Sequence, residues 1–249
     1  MEMNKKLKKI INDSYVDLLG IADIRKYEDE LISYGGEIVK GYNFGISMGI
    51  ALPDSIVDGL KNRFDKNISS LYYTHSYNII NDRLNITSSI VSSFLNKEGY
   101  KTLPIPAAVR TDIDNAIPTI SHRMIAHLSG LGWIGKSCLL VTSDFGPRVR
   151  LVSVLTNAPL KATGSIIEQK CNSCVECVNI CPVHAITGKN FNTKDARSIR
   201  FNFKKCQSYF DEMKKDKSKK PVCGMCLYVC PYGKKIITQN ILAGHSERC

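Results

Sequence analysis

The chain has 249 residues, and with 43% of them hydrophobic it can bury a core, so disorder is set aside. Its formal net charge is +11, from 34 basic and 23 acidic residues, which suits an acidic partner without naming one. No apolar run approaches the ~20 residues that span a bilayer. The charged residues 1–9 lead into Ile10-Ile11-Asn12-Asp13 rather than an apolar signal core, so a cytoplasmic protein of one large or two small domains is expected.

In chain order, residues 1–20 read as a helix, with Leu7, Ile10, Ile11, Val16, Leu18 and Leu19 at roughly helical intervals and Gly20 to end it. Ile21-Ala22-Asp23-Ile24 reads as a short strand, 28–33 as a helical turn stopped by Gly35-Gly36, and 46–52 as a buried strand. Gly41, Gly45 and Gly49 form no phosphate-binding fingerprint; glycine in a strand marks a bulge or a close approach of other backbone. Pro53-Asp54 starts a short helix that runs to about Leu60. The spacing then predicts one long helix over 68–96, its apolar stripe running through Leu71, Ile79, Ile80, Leu84, Ile86, Ile90, Val91, Phe94 and Leu95, with Gly99 as C-cap. His75, among Tyr72, Tyr73 and Tyr77, reads as a packed, hydrogen-bonded histidine. Residues 100–106 read as an edge strand broken by prolines.

Arg110, Asp112 and Asp114 fall in a turn-rich connection, and Ser121 is positioned to N-cap a helix ending at Leu128. Gly130-Leu131-Gly132-Trp133-Ile134-Gly135-Lys136 follows. Three glycines around the only tryptophan allow a tight backbone path against a flat ligand or a neighbouring element. Residues 138–142 and 149–155 read as a hairpin turning at Asp144-Phe145-Gly146-Pro147. Cys138 reads as a buried core thiol, Cys249 as spare, and His122, His127 and His184 as surface or capping groups. Cysteine is scarce before Thr163-Gly164-Ser165 and dense after it. The expected division is therefore an α/β domain over 1–164 and a cluster domain over 165–249.

Cys171, Cys174, Cys177 and Cys181-Pro182 are separated by two, two and three residues, the bacterial ferredoxin run whose fourth cysteine serves the neighbouring cluster. Cys206, Cys223, Cys226 and Cys230-Pro231 repeat the two-then-three spacing and the trailing proline. Two interleaved quartets result, Cys171/Cys174/Cys177/Cys230 and Cys206/Cys223/Cys226/Cys181, each suited to a 4Fe–4S cluster. The alternatives are structural zinc, which usually takes two separated Cys-x-x-Cys pairs, and disulfides, which the crowding of the cysteines disfavours. Between the cysteine groups, residues 189–220 carry eleven Lys or Arg against four Asp or Glu. That excess is either a solvated loop or a docking surface for something acidic, such as RNA phosphate or an acidic electron donor of the flavodoxin or ferredoxin kind.

The stretch 130–136, preceded by a helix and followed by Leu139-Leu140-Val141-Thr142, resembles the core motif of the epoxyqueuosine reductase family, and the two cysteine groups with Cys206-Gln207-Ser208-Tyr209 resemble that family's double-cluster domain. The resemblance implies a nitroreductase-like N-terminal α/β domain that binds cobalamin, followed by a ferredoxin-like domain whose clusters pass electrons to the cobalt, for deoxygenation of epoxyqueuosine in a tRNA anticodon loop. It also implies that Gly132, Trp133 and Lys136 line or support the cofactor pocket. Two departures go with it. The family's proton-donating aspartate falls where this chain reads Asn115-Ala116-Ile117-Pro118-Thr119, leaving Asp112, Asp114 or His122 as substitutes. The chain also stops at Cys249, where members acting on tRNA usually continue into helical repeats. The competing expectation is an electron-transfer or corrinoid-reducing protein with no tRNA substrate.

Overall fold

The structure, a computed structural model, describes residues 2–109 and 118–234. Arg110, Asp112, Asp114 and Cys249 lie outside the described residues. In chain order the elements are α1 (Glu2–Asn12), β1 (Leu18–Asp23), α2 (Glu28–Gly35), β2 (Phe44–Ala51), α3 (Asp54–Asp58), α4 (Lys66–Tyr72), α5 (Ile80–Lys97), β3 (Thr102–Ile105), α6 (His122–Leu128), β4 (Trp133–Ile134), β5 (Leu140–Val141), β6 (Val149–Thr156), α7 (Glu176–Asn179), α8 (Phe203–Lys215) and α9 (Met225–Tyr228). Among the described residues, no helix is long and apolar enough to cross a membrane.

The contacts divide the chain into two compact units, and they are not contiguous halves. The first comprises Met1–Leu52, Tyr73–Trp133 and Val149–Ile167; the second comprises Pro53–Tyr72, Ile134–Arg148 and Glu168–Cys249. A single boundary near 164 divides the chain once, whereas the contacts also place two earlier segments with the cysteine-rich part. The expected boundary is itself tied down within the first unit. Thr163 exchanges hydrogen bonds with Ile21, its amide donating to the Ile21 carbonyl at 3.0 Å and its Oγ1 accepting from the Ile21 amide at 2.9 Å.

The first unit is built on an antiparallel sheet in the order β1-β2-β6-β3. β2 and β6 are central and almost wholly buried, which explains why their sequences read as near-continuous apolar and small residues. The sheet is therefore mixed with helices but has no parallel pair. β6 pairs with β2 and β3, not with 138–142, so the expected hairpin does not form. β6 is instead flanked by the eight-residue β2 and the four-residue β3, and β5 has two residues and pairs with β4. The N-terminal helix also ends early, at Asn12, because Leu18 and Leu19 belong to β1.

Side-chain alternation assigns the two faces of this sheet. Thr102 and Arg150 contact Ser92 and Asn81 of α5 on one face. On the other, Ser153 meets His122 of α6, and an added Cβ at Gly45 would stand 2.8 Å from Ile125 of the same helix. Glycine at 45 thus makes room for the Ile125 side chain, in place of the bulge or close approach of backbone that the sequence suggested. The core on this side joins Ala22, Ile24, Leu31, Ile105, Ile125, Leu128 and Leu155.

The long helix expected over 68–96 is not uniform, because Tyr73–Ile79 winds as a π-helix between α4 and α5. Tyr77 from the π turn stacks under the Arg150 guanidinium at 4.8 Å, and Arg150 Nε donates to Asn81 at 3.0 Å. The apolar stripe divides as well. Ile80, Leu84, Val91 and Leu95 are buried, while Leu71, Ile79, Ile86 and Ile90 face outward. His75 Nδ1, expected to be hydrogen-bonded, is buried without a partner among the described residues.

Gly130 is the glycine whose replacement is most constrained. Its φ is +78°, and a Cβ there would lie 2.8 Å from the Ser165 carbonyl oxygen and 3.1 Å from Gly164 Cα. Gly130→Ala therefore combines a left-handed backbone with a clash against main chain. The expected loss is about 2–3 kcal/mol, read as a thermal midpoint lower by roughly 5–10 °C.

In the second unit, Arg148 is 2% exposed and forks to Asp54 at 2.9 Å and Asp58 at 2.7 Å, fixing α3. Gly233 packs on the same side chain, and Gly146, at φ +53°, lies against the main chain of Tyr232 and Gly233. The segments 53–72 and 134–148 are thus structural parts of the cysteine-rich unit.

Candidate metal centre

The two short helices α7 and α9 pack together, and each carries a cysteine at its second residue, Cys177 and Cys226. The doubled sequence motif is therefore a doubled structural motif. Burial pushes the Cys177 thiol up to about 12, with further contributions from Cys171, Cys230 and Cys174. Cys230 is pushed up to about 11, first by burial and then by Cys171 and Cys174 against the opposing amides of Tyr232 and Gly233. Burial likewise raises Cys226, which also feels Cys223, Cys206 and Cys181, and it raises Cys223, which feels Cys181. Cys177 thus has Cys171, Cys174 and Cys230 as electrostatic neighbours, and Cys226 has Cys223, Cys206 and Cys181. Cys226 also feels Cys177, so thiols of the two quartets adjoin.

The donor set is suited to iron–sulfur clusters. Backbone amides turn toward the sulfurs, as Ala185 does to Cys181 Sγ at 3.3 Å, and as Met225 does toward Cys223. Thiols raised this far by burial and by one another are protonated when metal-free, so cluster assembly would release protons. Among the described residues, no three Cys, His, Asp or Glu are grouped as a site for a single metal ion.

Lys136 is the residue whose position the sequence did not reveal. It is 6% exposed, and its Nζ donates to the carbonyls of Asn172 at 2.7 Å and Cys174 at 3.1 Å. It therefore clasps the loop between the first two ligands of the first quartet. Gly135 beside it would place a Cβ 3.5 Å from Cys171 Sγ and 2.9 Å from Val141. The glycine keeps the main chain against that sulfur. Cys206 is held differently, on α8, whose N-cap Asn202 accepts from the Lys205 amide at 3.0 Å. Cys138 is buried, as expected, and accepts from Arg200 Nη1 at 3.7 Å.

The remaining sequence-predicted residues lie in the first unit. Ser121 caps α6 as expected, accepting from the Met124 amide. His127, expected at the surface or at a cap, is instead buried, and its Nδ1 donates to the Gly132 carbonyl at 3.0 Å. Trp133 is 2% exposed. His122 is half-buried, with Nε2 3.1 Å from the Pro106 carbonyl and Nδ1 3.0 Å from Ser153 Oγ. A carbonyl only accepts, so the proton sits on Nε2 and Nδ1 accepts from the serine hydroxyl. Desolvation lowers the His122 pKa to about 4, with Arg123 and Arg150 adding to it and the Pro106 carbonyl opposing.

That shift carries a pH prediction. The folded imidazole binds a proton more weakly than the unfolded one, so its contribution is complete above about pH 6.5 and is lost as pH falls toward 4. The loss is at most about 3 kcal/mol. His122→Gln keeps one donor and one acceptor, and its unfolding midpoint should lack this component of the acid slope in paired urea titrations at pH 4 and 7.

Residues 170–233 match the family described as a 4Fe-4S double cluster binding domain. The epoxyqueuosine reductase of Bacillus anthracis is 34% identical over 124 residues, which are 49% of this chain and 32% of that protein. The tetrachloroethene reductive dehalogenase of Sulfurospirillum multivorans is 29% identical over 153 residues, 57% of this chain and 27% of that protein. Among solved structures, the epoxyqueuosine reductase of Streptococcus thermophilus aligns with a TM-score of 0.61 at 16% identity, over 95% of this chain and 67% of that one. A reductive dehalogenase described in terms of B12-dependent dehalogenation aligns at 0.64 and 18% identity, over 92% and 32%. The chain thus spans about a third of the length of the curated relatives it matches. It is similar in sequence to the epoxyqueuosine reductases and shares a mixed α/β fold with them and with reductive dehalogenases.

Proposed function

We propose, from its kinship with the epoxyqueuosine reductases, that this chain is an iron–sulfur oxidoreductase whose two 4Fe–4S clusters deliver electrons to a cobalamin that reduces a substrate. The observation that carries the reading is the match of residues 170–233 to a 4Fe-4S double cluster binding domain, in a chain whose fold is shared along most of its length with an epoxyqueuosine reductase and a reductive dehalogenase described in terms of B12-dependent dehalogenation. The clusters supply single electrons, and a corrin would supply a strong reductant at the substrate.

The protein's own residues have narrower roles. Cys171, Cys174, Cys177 and Cys230 hold the first cluster, and Cys206, Cys223, Cys226 and Cys181 the second. Lys136 fixes the loop of the first. Gly132 and Trp133 support the cofactor site from behind, since the Gly132 carbonyl is spent on His127 and the indole is buried. His122 is poorly suited to give up a proton, because it is neutral near pH 7 and its one N–H is engaged by Pro106. The donor role passes to Asp112 or Asp114. The first unit is nitroreductase-like in this reading. An epoxyqueuosine-bearing tRNA is the proposed substrate, on the precedent of a relative solved with such a stem loop.

A relay without a substrate of its own is the second reading. A cleft of about 140 Å³ is lined by Arg63, Phe64, Met213, Asp216, Lys219, Lys220 and Val222, the last of them next to Cys223 in sequence, and its three cations against one carboxylate suit an acidic flavodoxin or ferredoxin. Anaerobic protein with both clusters assembled separates the two. Cobalamin binding with a shift in its visible spectrum, followed by deoxygenation of an epoxyqueuosine-containing anticodon stem loop, supports the enzyme. Intact clusters with no cobalamin binding leave the relay.

A further inference from the structure

Arg63 belongs to the segment that joins the cysteine-rich unit from earlier in the chain. Its guanidinium is held by three elements. Nη1 donates to Met225 Sδ at 3.3 Å, between Cys223 and Cys226 in the sequence. Nη2 donates to the Tyr209 hydroxyl at 3.2 Å, one helical turn beyond Cys206 on α8. The plane stacks over Phe64 at 4.3 Å from the ring centroid. Nε is buried without a hydrogen-bond partner, and among the described residues no carboxylate lies within ion-pair distance of this arginine. A half-buried cation fastened to both cysteine-bearing elements, with its charge uncompensated, is more than packing requires.

We infer that Arg63 is a positioning residue that raises the reduction potential of the cluster held by Cys206, Cys223, Cys226 and Cys181. A cluster gains one negative charge when it accepts an electron from a one-electron donor, and a fixed cation beside it stabilises that reduced form more than the oxidised one. The first quartet has Lys136 on its own loop, so each quartet has its own cation and each potential is set separately. The inference rests on the two-cluster reading and goes beyond it.

The test is an EPR-monitored redox titration of anaerobic, cluster-loaded wild type, Arg63→Gln and Arg63→Lys. Arg63→Gln should lower one potential and leave the other in place. The expected change is about tenfold in the reduced-to-oxidised ratio at a fixed potential, which is about 59 mV for one electron. Arg63→Lys, which keeps the charge, should restore most of it. Unchanged potentials in a fully loaded Arg63→Gln protein, or equal shifts in both clusters, would overturn the inference while leaving the clusters established. Wild type that binds no iron would defeat the two-cluster reading itself. If Arg63→Gln does not load, Arg63→His carries the test within one protein. Relative to wild type, in which Asp216 and Lys219 line the same cleft, one of its potentials should rise as pH falls through the imidazole range; a pH response no different from wild type would overturn the inference.

Discussion

Cys181→Ala should abolish the cluster of Cys206, Cys223 and Cys226 and spare that of Cys171, Cys174 and Cys177, its own neighbours in sequence. Iron should fall from about eight to about four atoms per chain, the count for one cubane in place of two. The remaining EPR spectrum should match that of Cys223→Ala, while Cys230→Ala should match Cys174→Ala. The reason is mechanical. Proline ends each wrap, at Pro182 and Pro231, and the thiolate before it projects toward the other quartet. The mutual effects among the thiols follow that crossover, since Cys226 feels Cys181 and Cys177 feels Cys230. If the Cys181→Ala spectrum matched that of Cys174→Ala, the ligands would instead follow sequence order and the interleaved assignment would be wrong.

This crossover is an expectation read from local spacing. Two, two and three residues and a proline specify a wrap whatever surrounds it. The glycines were legible in part, as Gly45 under α6 and Gly130 against Ser165 each mark a place where a Cβ has no room, although the neighbour at Gly45 is a side chain. What the sequence concealed depends on distant partners. β6 reads equally well as half of a hairpin or as a central strand, and only β2, a hundred residues earlier, decides. Ile86 and Ile90 were placed in one apolar stripe with Leu84 and Val91, yet only the second pair is buried, and the two pairs lie on opposite faces of the helix. Arg63 and Arg148 carried no motif at all, and their partners lie roughly 85 to 160 residues away.

Lys136 stands in a recognised motif but reaches into the cysteine-rich segment. The resemblance gives it a lining or supporting role in a cofactor pocket, and its ammonium is bonded to the carbonyls of Asn172 and Cys174. Hydrogen bonds from a charged group contribute about 1.5–3 kcal/mol each, and a neutral replacement also leaves both carbonyls without their donor. Lys136→Met should therefore speed removal of iron from the first quartet by a chelator about a hundredfold, a loss of ~3 kcal/mol in loop restraint. The second quartet should release iron at the wild-type rate. Met matches the aliphatic stem in length, so the packing around residues 135–141 is kept and the charge alone is tested. A corrin-contacting lysine would give the opposite pattern, with cobalamin affinity falling and both clusters equally durable. Measuring iron release and cobalamin binding on the same preparation distinguishes a side chain that holds the electron source from one that touches its acceptor.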